Sequence, residues 1–263
     1  MISKTTRTTV ALAAGLVAIG ATVALTGTPT VARTPPVAGA PAFLDQLETL
    51  DKKRWSVSDG WSNGSWTAND WRKSQVRIED GLHLTLAANK TDKANFSGGE
   101  VQSIDRYGHG YYEARFKAAP GSGIVTGFFT YIGPHWKKEW NEIDVEIVGK
   151  RPRHVLLTYF KGDEKISKEV ALGFDATDSY HVYGFDWQPD AIRWYVDGKL
   201  VHEAKGAKVP LPAEQQKIMI SLWGSETLTD WLGPFDKAAL PTSAVFTCIG
   251  YWEDYRPGRG CAG

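Results

Sequence analysis

Apolar and polar residues alternate with a period of two over much of this chain, and the alternation predicts β-strands. In Tyr111–Lys117, Glu113, Arg115 and Lys117 interleave with Tyr112, Ala114 and Phe116. That is the pattern of a strand with one face in a core and the other in water. Runs rich in Val, Ile, Tyr, Phe and Trp recur at His83–Ala87, Ile124–Tyr131, Val155–Phe160, Tyr180–Trp187, Ile192–Val196, Lys217–Trp223 and Ala244–Trp252. Gly, Pro, Asn and Asp punctuate them. Asp197-Gly198, between Trp194-Tyr195-Val196 and Lys199-Leu200-Val201, predicts a tight hairpin. No segment keeps a helical period; short turns are expected near Ala213 and at Asp236–Leu240. No internal repeat is visible. The expected class is all-β, two antiparallel sheets packed face to face.

One strand carries more than a core face. Trp140-Asn141-Glu142-Ile143-Asp144-Val145-Glu146 sets three carboxylates at i, i+2 and i+4, so all three share one side of the strand while Ile143, Val145 and Ile147 take the other. Acids in a row repel one another, and stability gives no reason for them. An acidic solvent face and a calcium site are the plain alternatives. A strand, however, presents acids in line rather than wrapped around an ion, and the glycine of a calcium loop is missing. Two glutamates four residues apart have Cα atoms ~13 Å apart along a strand. Their carboxyls can lean together toward the ~5–5.5 Å spacing of a retaining glycosidase. Asp144 would orient Glu142 and share its proton, since three clustered acids do not all ionise cheaply. The residues alone leave open which glutamate is nucleophile and which is acid.

Trp140 lies two residues before Glu142 and so shares its face, where an indole suits a pyranose ring better than a core. Trp136 belongs either to the same wall or to a loop. Tyr131, Trp187, Trp223 and Trp231 are further aromatic candidates, though such a residue taken singly is more often packing than a ligand contact.

Composition narrows the setting. The chain has 263 residues, 42% of them hydrophobic, enough for one domain with a large core. Thirty basic residues balance thirty acidic ones, which gives no field for nucleic acid or a membrane surface and fits an uncharged substrate. Eleven tryptophans suit both β-packing and sugar stacking. Lys4 and Arg7 precede an uncharged, Ala-rich run from Val10 to Leu25, which reads as an export signal over residues 1–32; a retained anchor is the alternative. Residues 33–42 form a Pro- and Ala-rich lead, residues 43–255 the domain and 256–263 a tail. A secreted, extracellular or periplasmic, monomeric protein with no membrane association after signal removal is expected. Cys248 and Cys261, the only cysteines, would then be permitted to bond, or equally to stay as thiols. No zinc spacing occurs.

Beyond the acidic strand, several segments resemble bacterial lichenases of glycoside hydrolase family 16. They include Tyr107-Gly108-His109-Gly110-Tyr111-Tyr112-Glu113, Phe128-Phe129-Thr130-Tyr131-Ile132-Gly133-Pro134, Gly173-Phe174-Asp175-Ala176, Phe185-Asp186-Trp187-Gln188-Pro189, Trp194-Tyr195-Val196-Asp197-Gly198 and Asp230-Trp231-Leu232-Gly233. The resemblance covers roughly residues 43–252. It implies a concanavalin-like β-jelly-roll sandwich with a sugar cleft across the concave sheet. It assigns Glu142 as nucleophile, Asp144 as its assistant and Glu146 as general acid/base, and places Trp140, Tyr131, Trp223 and Glu100 among the residues that line the cleft; Trp231 is kept as a further candidate contact for its aromatic side chain. No extra residue separates Asp144 from Glu146, unlike the bulged laminarinase motif.

Departures touch the substrate. Thr158 and Ser221 stand where lichenases usually carry Asn, and Asn69 and Gly98-Gly99 stand where they carry a disulfide. An Asp that helps hold a structural calcium is replaced near Thr247, so no cofactor is expected and calcium is doubtful. Val57–Gly64 and Ser225–Asp230 look more like the branch that trims bacterial exopolysaccharides such as succinoglycan. The expected activity is a secreted retaining endo-β-1,3-1,4-glycanase. Alternatives are an exopolysaccharide depolymerase, a xyloglucan transglycosylase and, in another class, a lectin, since a shared fold does not fix function.

Overall fold

The computed structural model describes residues 41–254 and 260–261. The export signal expected over 1–32, residues 33–40 of the lead and parts of the tail lie outside them. Among the described residues sixteen strands follow one another. They are β1 (Phe43–Asp45), β2 (Trp55–Val57), β3 (Asn69–Trp71), β4 (Val76–Ile78), β5 (Leu82–Ala88), β6 (Phe96–Ser103), β7 (Gly110–Lys117) and β8 (Ile124–Ile132). Then come β9 (Asn141–Val148), β10 (His154–Lys161), β11 (Glu164–Ala171), β12 (His181–Trp187), β13 (Ile192–Val196), β14 (Lys199–Ala204), β15 (Lys217–Gly224) and β16 (Thr242–Trp252). Each alternating run in the sequence is a strand, with ends moved by no more than two residues.

Hydrogen bonding orders the strands β11-β10-β9-β8-β15-β6-β5-β16-β7-β12-β13-β14. The β5–β6 pairing spans only Ala87↔Ser97 and Ala88↔Phe96, and there the ladder passes from one layer to the other. Strands β11 to β6 form the layer that carries the acids. Ile143, Val145 and Ile147 turn inward from it, beside Phe128, Leu157 and Ile220, to meet Tyr112, Phe116, Phe185 and Trp194 of the second layer in one core. The rings of Phe128 and Phe185 meet at 5.7 Å across the interface. Each such side chain contributes roughly 1.5–3 kcal/mol by burial, so the apolar side of β9 pins it in register.

The Asp197-Gly198 hairpin joins β13 to β14, and both residues have positive φ, 48° and 72°, as a two-residue turn matched to strand twist requires. Three expectations change. Ala213 makes no helical turn; its N–H is taken instead by Asn141 Oδ1 at 2.9 Å. A single helical turn, α1 (Thr229–Leu232), escapes a periodicity reading because it is too short to show a period. Finally, β3 runs parallel to β6, the exception to the antiparallel pairing.

Cys248 and Cys261 are bonded, which ties the tail to β16. Asn69 fills the place where the resemblance had pointed to a missing disulfide. Its Oδ1 accepts from Gly224 N at 3.0 Å, and its Nδ2 lies where a Cβ on Gly98 would stand, 2.5 Å away. Thr247, between the shifted pairs at Phe246 and Cys248, accepts a hydrogen bond from the Arg115 guanidinium at 3.0 Å.

Candidate active site

Strand β9 sits inside its layer, with β8 on one side and β10 on the other. Because side chains alternate along a strand and line up across a ladder, register alone lays out the face opposite the core as a grid. Glu142 lies between Tyr131 and Phe160, Asp144 between Phe129 and Thr158, and Glu146 between Gly127 and Leu156. Farther along, Lys217, Met219 and Ser221 of β15 continue the three rows. Glu100 of β6 stands beyond Ser221. Gly127 leaves the space beside Glu146 open; a Cβ there would come within 3.3 Å of Ser221 Oγ.

The three acids are packed tightly, yet Glu142 and Glu146 keep part of their surface open while Asp144 is buried. Burial raises Glu142 to about 7, against two hydrogen bonds that favour its charge, from the Trp140 indole and the Asp144 carboxyl. Burial and the nearby Glu142 charge carry Glu146 to about 8, with Lys165 opposing. Asp144 is raised well above the usual carboxylate range by burial, then by both glutamates. All three acids are therefore held above the usual carboxylate range, and Glu142 is the one whose hydrogen bonds, from Trp140 and Asp144, favour its charged form.

Aromatic residues flank the acid rows along two sides of the face, beyond Glu142 and beyond Glu146. At the Glu142 end, Trp140 Nε1 donates to Glu142 Oε2 at 2.5 Å, and its ring stacks on Phe160 at 4.6 Å. Trp136 occupies a short turn after β8, 5.8 Å from Tyr131. At the Glu146 end, Trp223 packs with Trp71, Val125, Val148 and Leu232, flanked by Trp66 at 5.2 Å and Trp231 at 6.0 Å. The result is an open face with acids in its floor and indoles along its sides.

The family model described as glycosyl hydrolases family 16 matches residues 63–239, a span that contains this whole grid. The chain belongs to that family. It is 46% identical over 199 residues to the endo-1,3-1,4-beta-glycanase ExoK of Rhizobium meliloti (strain 1021), covering 74% of this chain and 72% of that one. It is 39% identical over 196 residues to a beta-glucanase of Bacillus amyloliquefaciens, covering 74% and 81%. Among solved structures, the Bacillus licheniformis beta-glucanase superposes with a TM-score of 0.75 at 36% identity, over 83% of this chain and all of that one. The laminarinase catalytic domain from Thermotoga maritima, at 17% identity and TM-score 0.72 over 82% of this chain and 99% of that one, shares the fold.

Within this family 16 hydrolase, the residues singled out by sequence fall into four places. Glu142, Asp144 and Glu146 occupy successive rows of the grid, with Trp140 and Tyr131 beside Glu142. Trp223 and Trp231 form the far wall, where Trp223 is buried against its neighbours. Glu100 lies in the floor two strands beyond β8; it accepts from Ser58 Oγ at 2.6 Å, and burial pushes it up to about 7. Trp187 is a core residue, its indole donating to Pro212 O.

Sequence reasoning missed Phe160, Lys165 and Asn141. The first two reach the face only through the β9–β10–β11 register, which no local pattern reveals. Asn141 is fully buried and ties the start of β9 to Ala213 N and Glu139 O. A polar residue at an inward position of an otherwise apolar face was the signal for it.

Proposed function

We propose that this hydrolase cuts internal linkages of a β-1,3-1,4-glucan-type polysaccharide with net retention of anomeric configuration. The observation that carries the reading is the geometry of β9: Glu142, Asp144 and Glu146 on one strand face, opposite the core, with the Trp140 indole donating to Glu142. Glu142 attacks the anomeric carbon while Glu146 protonates the leaving oxygen. Glu146, now a base, deprotonates the water that releases the glycosyl–enzyme bond. Asp144 and the Trp140 indole hold Glu142 in place and stabilise its charge. Trp140, Tyr131 and Phe160 offer ring surface to the sugar beside Glu142, Glu100 supplies a polar contact farther along the floor, and Trp223 and Trp231 bound the other side.

The names of the relatives, an endo-1,3-1,4-beta-glycanase and several beta-glucanases, support an internal cut in a glucan. An open face walled only along its sides suits the middle of a long chain. Thr158, which bonds Ser167 at 3.0 Å, and Ser221 support a second reading, a bacterial exopolysaccharide as the natural polymer. Export and a monomeric state complete the proposal. The bonded Cys248–Cys261 pair fits an oxidising compartment, and among the described residues no helix is long and apolar enough to cross a membrane.

The decisive experiment follows lichenan, laminarin, xyloglucan and succinoglycan by viscosity, reducing ends and NMR of the first products. Retention and internal cutting predict a fast viscosity fall, few new ends and an initial β-anomer. An initial α-anomer would overturn the retaining mechanism, and binding without turnover would support a lectin.

A further inference from the structure

Glu146 and Glu100 stand in one row of the floor. In register across the layer run Glu146, Gly127, Ser221 and Glu100, on β9, β8, β15 and β6. Three strand spacings, ~14 Å, separate the two acids, and only a glycine and a serine lie between them. Ser58 ends the row. It follows β2 directly, and its N–H donates to the Glu100 main-chain carbonyl at 3.0 Å, so the two side chains lie abreast on one face.

A short chain of hydrogen bonds holds the Glu100 carboxyl there. Gln102 Nε2 donates to Ser58 Oγ at 3.1 Å, and Ser58 Oγ donates to Glu100 Oε1 at 2.6 Å. An amide N–H can only donate, so it occupies a lone pair of the hydroxyl and commits the single hydroxyl proton to Glu100. Gln102 reaches Ser58 from the neighbouring row, the one that runs through Asp144, Phe129 and Met219. Among the described residues, Ser58 is the sole side-chain donor to this carboxyl and Glu100 joins no ion pair, which leaves Oε2 for the cleft. Ser58 and Glu100 are each 3% exposed, so water has little room to replace the serine as donor.

We propose that Ser58, oriented by Gln102, is a positioning residue for substrate binding: it turns the Glu100 carboxyl so that Oε2 meets a hydroxyl of the glycan at a fixed distance from Glu146. The inference rests on the reading of this face as the glycan cleft, and names the residues that set its grip away from the reacting bond. A glutamate side chain turns about several bonds, and immobilising it when substrate arrives weakens binding. Ser58 imposes that order during folding instead. It therefore acts on KM and not on the reaction of Glu142 and Glu146, and its own hydroxyl, spent inside the floor, touches no sugar.

The test is kinetics on whichever of lichenan, laminarin, xyloglucan and succinoglycan the wild-type protein cuts fastest. Ser58→Ala should raise KM by roughly three- to tenfold, the effect of ordering one loose side chain, with kcat within about twofold of wild type. Ser58→Thr, which keeps the hydroxyl, should bind nearly as well as wild type. Gln102→Met should raise KM less, and should add nothing in the Ser58→Ala background, because it acts through the serine. Circular dichroism and urea unfolding establish that each variant is folded. If Ser58→Ala does not fold, an unchanged KM in Gln102→Met decides against the chain. An unchanged KM in folded Ser58→Ala, with KM raised in Glu100→Ala, would overturn this inference alone. So would a fall in kcat at constant KM, the mark of a structural part, or additive effects of the two variants, which would make Gln102 a separate sugar contact. An unchanged KM in Glu100→Ala would instead take Glu100 out of the cleft and remove the reading beneath.

Discussion

The indole N–H of Trp194 crosses the sandwich to donate to the main-chain carbonyl of Asp144 at 3.2 Å. The two residues lie fifty positions apart in sequence and in opposite layers. Trp194 is fully buried and stacks against His202 at 5.4 Å. The middle residue of the acid row is thus held from behind, and its side chain is aimed by the core.

Replacing that indole should therefore separate apolar packing from positioning. Trp194→Phe keeps a buried ring but deletes the donor and some volume. A stability loss of about 1–3 kcal/mol in urea unfolding is expected. A lower kcat with KM little changed should accompany it, because the acids and not the aromatic walls are disturbed. Wild-type stability in this variant would mean that the bond contributes nothing.

The roles given to the two glutamates are distinguished by the leaving group. Glu146→Gln should lose about 10²–10⁴-fold on a polysaccharide. It should recover much of the rate of the first step on an aryl glycoside whose leaving group needs no proton. Glu142→Gln should be inactive on both, since no attack occurs. Steady-state and burst kinetics on the two substrates check this, and the reverse pattern would exchange the assignments.

Trp140 connects the wall to the chemistry. Its N–H stabilises the charged form of Glu142, so Trp140→Phe should raise the pKa of that group above its present value of about 7. In the proposed mechanism Glu142 acts ionised and Glu146 protonated, so kcat/KM should rise with pH through the first ionisation and fall through the second, near 8. In the variant, the acid limb should move to higher pH and the bell should narrow, while the alkaline limb stays near its place. An unmoved acid limb would assign it to another group.

Much of this molecule is legible in its sequence because strand periodicity is local. Glu142-Ile143-Asp144-Val145-Glu146 declares both its core face and its acidic face, and Asp197-Gly198 declares a turn. What stayed hidden depends on pairing between distant strands. Phe160 joins the site because β10 pairs with β9 at Glu142, and Lys165 because β11 pairs with β10 at Phe160; a slip of one residue would have sent both to the other side. The depth of Trp223 was equally unreadable, since an indole on a strand serves a wall and a core alike. Trp194 reads as an ordinary core residue, and its bond to Asp144 exists only once two layers meet.

Thr247 and Arg115 bear on metal dependence. The guanidinium bonded to the Thr247 hydroxyl places a fixed positive charge beside the oxygen where the resemblance would look for a calcium ligand, and a cation there would be repelled. Treatment with EDTA, or addition of millimolar calcium, should leave the unfolding temperature unchanged within a degree or so. A rise on adding calcium, abolished by chelator, would show that the ion binds in spite of Arg115 or elsewhere.

Glu100 sets a cost that should appear at alkaline pH. Its carboxyl is buried beside Ser58 and held at about 7, against an ordinary 4.5. Below the ordinary value, the folded and unfolded chains both hold the proton and there is no penalty. As pH rises past it, the unfolded chain releases the proton first, so stability falls until the folded-state value is passed. The full loss is about 3 kcal/mol. Glu100→Gln keeps an acceptor for Ser58 and removes the titration. The variant should therefore be more stable than wild type at pH 8, with the gap closing as pH falls toward 4.5, in urea unfolding measured across that range. Parallel stability curves would show that the side chain is solvated despite its burial. Weaker turnover in the stabilised variant would explain why an acid is kept in the floor of the cleft, where binding sugar and folding well make opposite demands on it.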